Sequence, residues 1–343
     1  MNLSFPPFSD EIIQILELFG GIGAPREWFK RAGIPHKLID YVELQPNRVR
    51  AYNAMNPYKH SPQDIRGWNL RPHFLIHGSP CQDNSAANLN DDRGRSKLML
   101  ETIRIIKEMG EWRPQFVIWE NVKGALNKDK RPIFNEYLTE MENLGYTNAY
   151  QVLNAMDFGI PQTRERVFCV SIFGEETFDF GKLQHKPLRP MSDFKQPDDE
   201  IENIEKYIVK APSMLNRLKD MATPEEIEAN KSKFRYIETI VNVCNTITTR
   251  PDRCPAAGVF KMADGRYRYP TEREWWRLMD FTDEMFDLVE KEFPSQPGKR
   301  SATLYALAGN SIVVSVIGAI LECLVSGDYA KEQREPEQLQ LIC

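Results

Sequence analysis

Up to about residue 180, short apolar runs alternate with amphipathic stretches. Residues 12–19, "IIQILELF", form an apolar run that reads as a strand and stops at Gly20, Gly21, Ile22 and Gly23. The following "PREWFKRAG" carries Trp28, Phe29 and Ala32 on one helical face and ends at Gly33. "HKLIDYVEL" and "HFLIH" predict a second and a third strand. "SKLMLETIRIIKEMG" sets Leu98, Ile103, Ile106 and Met109 along one side of a helix, and "PQFVIWE" and "ERVFCVSIF" predict two further strands. Strands separated by helical patterns predict an α/β fold around a mostly parallel, doubly wound sheet.

The pattern changes near Gly181. "HKPLRPMSDFKQPDDEIENIEKY" is rich in proline and charge without a period, and the chain stays polar to about Gly298. From Leu304 an apolar segment returns, "LYALAGNSIVVSVIGAILECL", read as a loop at Gly309 and Asn310 followed by a helix that rejoins the core. This divides the chain into residues 1–181, residues 182–298 and a returning segment, 299–343. The tail "KEQREPEQLQLIC" is expected to be loosely ordered.

Composition narrows the class. The 343 residues suit about two domains, and 41% hydrophobic with 27% charged residues is ordinary for a globular protein. No apolar run is read as reaching the roughly 18 residues of a membrane helix. The N-terminus shows no basic segment leading into an apolar one, so a cytoplasmic protein without a membrane segment is expected. The six cysteines are scattered with no CxxC pair, which predicts neither a metal site nor a disulfide framework. A net charge of −5 weighs against sequence-independent nucleic-acid binding but leaves room for a local basic face.

In open parallel sheets, ligands bind beyond the carboxyl ends of the strands. There the chain places Phe19, Gly21 and Gly23, then Glu43, then Pro80, Cys81 and Gln82, then Glu120, Asn121 and Val122; Gln162, Arg164 and Arg166 stand at the start of the last strand. The Gly21-x-Gly23 turn continues with Ala24, Pro25 and Arg26, without the third glycine of a pyrophosphate-binding fingerprint. That favours a nucleoside ligand lacking phosphates, such as S-adenosylmethionine, over a dinucleotide, and Glu43 suits ribose hydroxyls. Cys81 by itself is compatible with a small buried hydrophobe or with a nucleophile. A thiol, a carboxylate and two guanidiniums at one rim can attack, protonate and hold a polar ring.

Six segments in order, "ELFGGIGAPREWFKRAG", "SPCQ", "ENV", "QTRER", "YPTEREWWRLMDF" and "AGNSIVV", resemble successive motifs of the DNA (cytosine-5) methyltransferases. The resemblance implies an S-adenosylmethionine-dependent, Rossmann-like mixed sheet with a small irregular target-recognition domain. Residues 1–181 would be the catalytic and cofactor-binding domain, 182–298 the recognition domain, and 299–343 the segment returning to the first. It implies that Cys81 attacks carbon 6 of a flipped cytosine, Glu120 supports ring nitrogen 3, Arg166 holds the carbonyl oxygen at position 2 and Arg164 supports Cys81. Phe19, Gly21, Gly23, Glu43, Asp64, Leu98 and Asn310 would hold the cofactor, and Gln82, Thr246 and Arg250 would contact duplex DNA. A monomer without metal is implied, with any cognate restriction endonuclease acting separately. The sequence departs from the family pattern at Leu44, where an aromatic is common, at Ser79 before Pro80, and at Asp280, Phe281 and Thr282, where Gly-Phe-Pro is common. A tRNA cytosine-5 methyltransferase and a catalytically silent DNA-binding relative are the alternatives. The intact Pro80-Cys81 and Glu120-Asn121-Val122 weigh against the silent relative.

Overall fold

The computed structural model describes residues 12–57, 59–65, 73–78, 98–250 and 256–330, Leu98 by its backbone only. Its centre is a six-stranded sheet built from β1 (Ile13–Leu18), β2 (His36–Val42), β3 (Phe74–His77), β4 (Phe116–Val122), β5 (Tyr146–Asn154) and β7 (Glu165–Phe173). A short strand, β6 (Gln162–Thr163), precedes β7 and pairs with β8 (Cys244–Asn245), and β9 (Phe260–Lys261) pairs with β10 (Tyr267–Arg268). The central sheet runs β2-β1-β3-β4-β7-β5.

The apolar runs are strands because both faces of the sheet are covered. Ile13, Ile15, Phe74, Ile76, Phe116, Ile118, Phe168 and Val170 point into one apolar cluster, and Leu16, Leu18, Leu75, Val117, Trp119, Val167 and Cys169 point into the other. The first cluster takes in side chains of helices α1 (Ala24–Arg31), α7 (Glu272–Arg277), α8 (Asp283–Glu292), α9 (Ala302–Gly309) and α10 (Val314–Ser326). The second takes in α3 (Leu98–Met109) and α4 (Arg131–Asn143). At Gly318 a Cβ would lie 2.4 Å from the Trp28 ring, so glycine lets α10 close onto α1. Helix α2 (Pro46–Met55) joins β2 to the segment before β3.

Strands β1 to β4 are parallel to one another, whereas β7 runs antiparallel to both β4 and β5. The sheet is therefore mixed, as the family resemblance implies: mostly parallel, as the alternation of strands and helices predicts, with β7 the antiparallel strand. The connection from β5 to β7 holds no crossover helix of the kind that parallel neighbours need. Strand β5 escaped the hydrophobic pattern because it is the sheet edge, and only Tyr146 and Leu153 of its residues are buried.

The apolar stretch Ala302–Ser326 also corrects the sequence reading, being long and apolar enough to cross a membrane by composition. In the fold it divides into α9 and α10, and 83% of its most apolar window is buried inside the protein. Within 182–298 the chain is mostly short turns, with α5 (Pro212–Leu215) and α6 (Pro224–Asn230). A separate small cluster forms there from Val209, Leu218, Ile237, Val259, Tyr267 and Tyr269, while Leu183, Met191, Phe194, Ile240, Ile247 and Phe260, and Trp275, Trp276 and Phe286 of α7 and α8, pack into the main core.

Candidate active site

The order of the sheet reverses at β1, whose neighbours are β2 and β3, and β1 ends in the glycine turn. Such a switch point opens a crevice beyond the strand ends. The turn there is tight. Phe19, Gly21 and Gly23 have φ of 54°, 56° and 84°, and a Cβ at Gly23 would come within 2.5 Å of the Tyr52 ring. Tyr52 stacks on Tyr41 at 3.8 Å, and the Tyr41 hydroxyl donates to the Gly21 carbonyl at 2.6 Å.

Glu43, at the end of β2, is buried. Its Oε2 accepts from the Gly21 N–H at 3.2 Å and from Arg48 Nη1 at 3.2 Å, and its Oε1 accepts from the Gln45 N–H at 2.9 Å. The Gln63 N–H donates to the Glu43 carbonyl at 2.9 Å, which sets the exposed Asp64 beside the end of β2. Asn310 is exposed and caps α9, its side-chain amide donating to Ala306 at 2.9 Å. One cleft brings Phe19 and Gly21 together with Asn310, Gly78 and Glu120. Of the other residues assigned to the cofactor, Leu98 lies at the start of α3 with its side chain outside the described residues.

Glu120 and Arg166 face each other because β4 and β7 are antiparallel. Arg166 is directly opposite Val122 and diagonal to Glu120, on the same sheet face. Arg166 Nε lies 3.3 Å from Glu120 Oε1. Burial raises the Glu120 carboxyl above the usual carboxylate range, against the opposing pull of Arg166 and Arg164. The pair thus sets a carboxyl with an increased hold on its proton beside a guanidinium.

Arg164 points to the other side of the rim. It donates to the carbonyls of Ile247 at 3.2 Å, Gly309 at 3.0 Å and Ser311 at 2.9 Å, while its Nε has no hydrogen-bond partner among the described residues. Burial and then Arg166 push its pKa down to about 9, so it remains a cation at neutral pH. Gln162 is fully buried, donates to Leu278 at 2.9 Å and accepts from the Ile247 N–H at 3.0 Å. Gly309 is where α9 meets this segment: a Cβ would lie 2.6 Å from the Thr248 backbone. The Thr246 hydroxyl donates to the Thr163 carbonyl at 2.6 Å, so a phosphate contact from it requires that bond to be given up. Arg250 is exposed. Cys81 and Gln82 lie outside the described residues, as does the C-terminal tail.

Three residues that the sequence reading left without a role belong to this site. Glu17 breaks the apolar run of β1 and is buried; its Oε1 accepts from the Arg26 N–H at 3.0 Å, and its Oε2 has no hydrogen-bond partner among the described residues. Burial lifts it to about 7. An acid inside a strand buried on both faces was the visible signal. Arg48 lines the cleft beside Glu43, and nothing in the pattern of α2 marks it. His77, the last residue of β3, is fully buried between the Tyr137 and Thr102 hydroxyls at 3.2 and 3.3 Å. Burial drives its pKa to about 3, so it is a neutral support under the strand end that leads to Cys81.

Comparison with known proteins gives a consistent result. The family described as C-5 cytosine-specific DNA methylase matches residues 13–326. The type II methyltransferase M2.ScrFI of Lactococcus lactis subsp. cremoris is 33% identical, over 91% of this chain and 98% of its own length. The type II methyltransferase M.Bsp6I of Bacillus sp. (strain RFL6) is 29% identical over 91% of this chain and 98% of its own. Among solved structures, the Dnmt2 methyltransferase of S. pombe superposes with a TM-score of 0.70 at 20% identity, over 92% of this chain and 99% of that one. The methyltransferase EhMeth of Entamoeba histolytica gives 0.71 at 17% identity, over 94% and 100%. At these identities the structural likeness speaks for the fold.

Proposed function

The chain belongs to the family of C-5 cytosine-specific DNA methylases, and from that premise we propose that it transfers a methyl group from S-adenosylmethionine to carbon 5 of a cytosine flipped out of a specific duplex DNA sequence. The observation that carries this reading is the single cleft joining the glycine turn and Asn310 to Glu120. A methyl donor and a target ring must meet in one space.

The residues fit the cofactor. Glu43 offers a carboxylate hydrogen-bonded to the glycine turn at 3.2 Å, and the buried Oε2 of Glu17, without a hydrogen-bond partner among the described residues, suits a cationic ligand. S-adenosylmethionine supplies an electrophilic methyl group on a sulfonium. Phe19, Gly21, Gly23, Glu43, Asp64, Leu98 and Asn310 are the proposed holders.

Carbon 5 of cytosine is a poor nucleophile until carbon 6 is attacked. Cys81, three residues after Gly78 on the chain, would supply the thiolate, whose ordinary pKa of about 8.5 makes nearby positive charge useful. As the sulfur–carbon 6 bond forms, the electron pair moves towards nitrogen 3 and carbon 5. Glu120 gives or shares its proton with nitrogen 3, a role suited to a carboxyl raised by burial. Arg166 would hold the neighbouring carbonyl oxygen, and Arg164 would hold the rim itself. Once carbon 5 is methylated, its proton leaves to a base, the pair from that C–H bond forms the carbon 5–carbon 6 double bond, Cys81 is expelled as a thiolate with the sulfur–carbon pair, and nitrogen 3 returns its proton to Glu120. Residues 182–298 would supply recognition, with Gln82, Thr246 and Arg250 as DNA contacts. Any cognate restriction endonuclease would act separately from a cytoplasmic, monomeric enzyme.

Bisulfite sequencing of unmethylated duplex DNA, after incubation with the protein and S-adenosylmethionine, tests the proposal. Cytosines protected at one short recurring sequence are the expected result, and Cys81→Ser should abolish them while still binding the cofactor. No protection despite intact cofactor binding would shift the assignment to an RNA substrate or a silent relative.

A further inference from the structure

Resting on the reading of the cleft as a cofactor site, we propose that Arg48 changes partners when the cofactor binds: it yields the Glu43 carboxylate to the ribose diol and takes the cofactor's α-carboxylate instead. A count of acceptor sites carries the argument. A carboxylate offers about four lone-pair sites. On Glu43, the Gly21 N–H and Arg48 Nη1 occupy Oε2, both at 3.2 Å, and the Gln45 N–H occupies part of Oε1 at 2.9 Å. A vicinal diol brings a pair of O–H donors, more than the remaining site accepts.

One of the present donors must leave. Gly21 and Gln45 donate from the backbone, fixed by the glycine turn and by the entry into α2. Arg48 donates from the end of a flexible side chain that is 30% exposed. It is the partner able to move.

The cleft also gives it somewhere to go. The lining contains the acids Glu17 and Glu120 and, among the described residues, no basic side chain other than Arg48. The cofactor brings one anion, its α-carboxylate, together with a cationic ammonium and sulfonium. Without Arg48, an α-carboxylate in this cleft would find only acids among the charged side chains of the described lining. A planar guanidinium is the donor set that matches a carboxylate with paired hydrogen bonds. Arg48 would thus neutralise Glu43 in the free protein and read the amino-acid end of the ligand in the bound one.

Calorimetric binding of S-adenosylhomocysteine, its decarboxylated analogue and adenosine to the wild type, Arg48→Ala and Arg48→Gln tests this without turnover. Both variants should bind S-adenosylhomocysteine roughly tenfold more weakly. They should bind the decarboxylated analogue as well as the wild type does, and adenosine at least as tightly, since a competitor for Glu43 has gone. Equal weakening for S-adenosylhomocysteine and the decarboxylated analogue would overturn the exchange and leave Arg48 as a prop for Glu43. A wild type that binds none of the three would overturn the cofactor reading and the exchange with it. Thermal unfolding of Arg48→Gln, which retains side-chain donors, separates a binding defect from a folding one.

Discussion

The sheet half and the half from 182 to about 271 are held together in different ways. In the first, apolar side chains cover both faces of strands β1, β3, β4 and β7, and the chemistry-bearing groups stand at strand ends on a packed platform. In the second, the segment's own apolar cluster is small, side chains such as Met191, Phe194, Ile247 and Phe260 reach into the main core, and the remaining fixed points are polar. Arg268, with no exposed surface, joins Asp198 at 2.7 Å and both oxygens of Glu274 at 2.9 and 2.8 Å. Glu274 also accepts from the Gln196 and Thr271 N–H groups at 2.8 and 2.7 Å, closing the capping box that starts α7. Arg217 likewise pins the Arg235 carbonyl at 2.7 Å. A platform packed to interior density keeps reacting groups in place, because core side chains have little room to shift. A segment of short turns, fixed by polar pairs and by a few apolar side chains set into the main core, can carry many different exposed side chains between those points.

The largest effect should come from the platform side. Glu120→Gln keeps the shape of the rim but removes the carboxyl proposed to serve ring nitrogen 3. Turnover in a tritiated-methyl transfer assay should fall by about 10²–10⁴-fold, with cofactor binding retained. A loss below tenfold would remove Glu120 from the proton step. On the polar side, Arg268→Met should cost about 3–5 kcal/mol, because it leaves the buried Glu274 without its cation. Denaturant unfolding measures the loss, and hydrogen exchange should place it in residues 196–271 with the sheet still protected. Loss of protection throughout the sheet would mean that the halves do not differ as argued.

The same contrast governs what could be read from the sequence. Strands β1 to β4 and β7, and helices α1 and α3, announced themselves because burial on a regular element leaves a period. Edge strand β5 left little, since most of its side chains meet solvent. The direction of β7 was also hidden, because an apolar strand pattern is the same read either way. Glu17 was visible as an acid in an apolar run yet gained meaning only when the fold placed it in the cleft. In the polar half the anchors include partners such as Arg268 and Asp198, separated by 70 positions. A pairing at that distance leaves no periodic trace. Gln162 shows the same limit: it stood within a recognisable motif, but its role as a tie between Leu278 and Ile247 belongs to the tertiary structure.

A smaller effect tests how dry the platform is beneath the glycine turn. Glu17 has its pKa raised from 4.5 to about 7, chiefly by burial. A raised folded-state pKa means that ionisation is penalised: the penalty is absent below about pH 4.5, grows as pH rises towards about 7 and is constant above. Glu17→Gln, which keeps an acceptor for the Arg26 N–H, should therefore match the wild type near pH 4 and be more stable by roughly 3 kcal/mol at pH 8. Denaturant midpoints at the two pH values check the sign. A variant less stable at pH 8 would show that Glu17 has a cationic partner that outweighs its burial.

The smallest effect lies where the halves meet, at the departure from the family pattern. Asp280 adopts φ 65° in the turn after α7, where the common residue is glycine. Its carboxylate is 3.4 Å from Arg31 of α1 and 3.5 Å from Arg189 of the polar half, and Arg31 also donates to its carbonyl at 2.5 Å. Burial nevertheless raises its carboxyl pKa despite both arginines, so its ionisation is a net cost to the fold. Glycine would relieve a left-handed backbone that costs most residues about 1–2 kcal/mol and aspartate less. It would forfeit partly exposed ion pairs worth about 0.2–1 kcal/mol each, and Arg31 would keep the carbonyl. Asp280→Gly should therefore lie within about 1 kcal/mol of the wild type at low ionic strength and become the more stable protein in about 1 M salt, where the Debye length falls to about 3 Å. Asp280→Asn, which tolerates the same φ but carries no charge, should follow the salt trend without the backbone gain. A wild type that remains clearly more stable than both variants at high salt would mean that the junction is fastened by more than charge, and that the polar half is less separate from the platform than its few pins suggest.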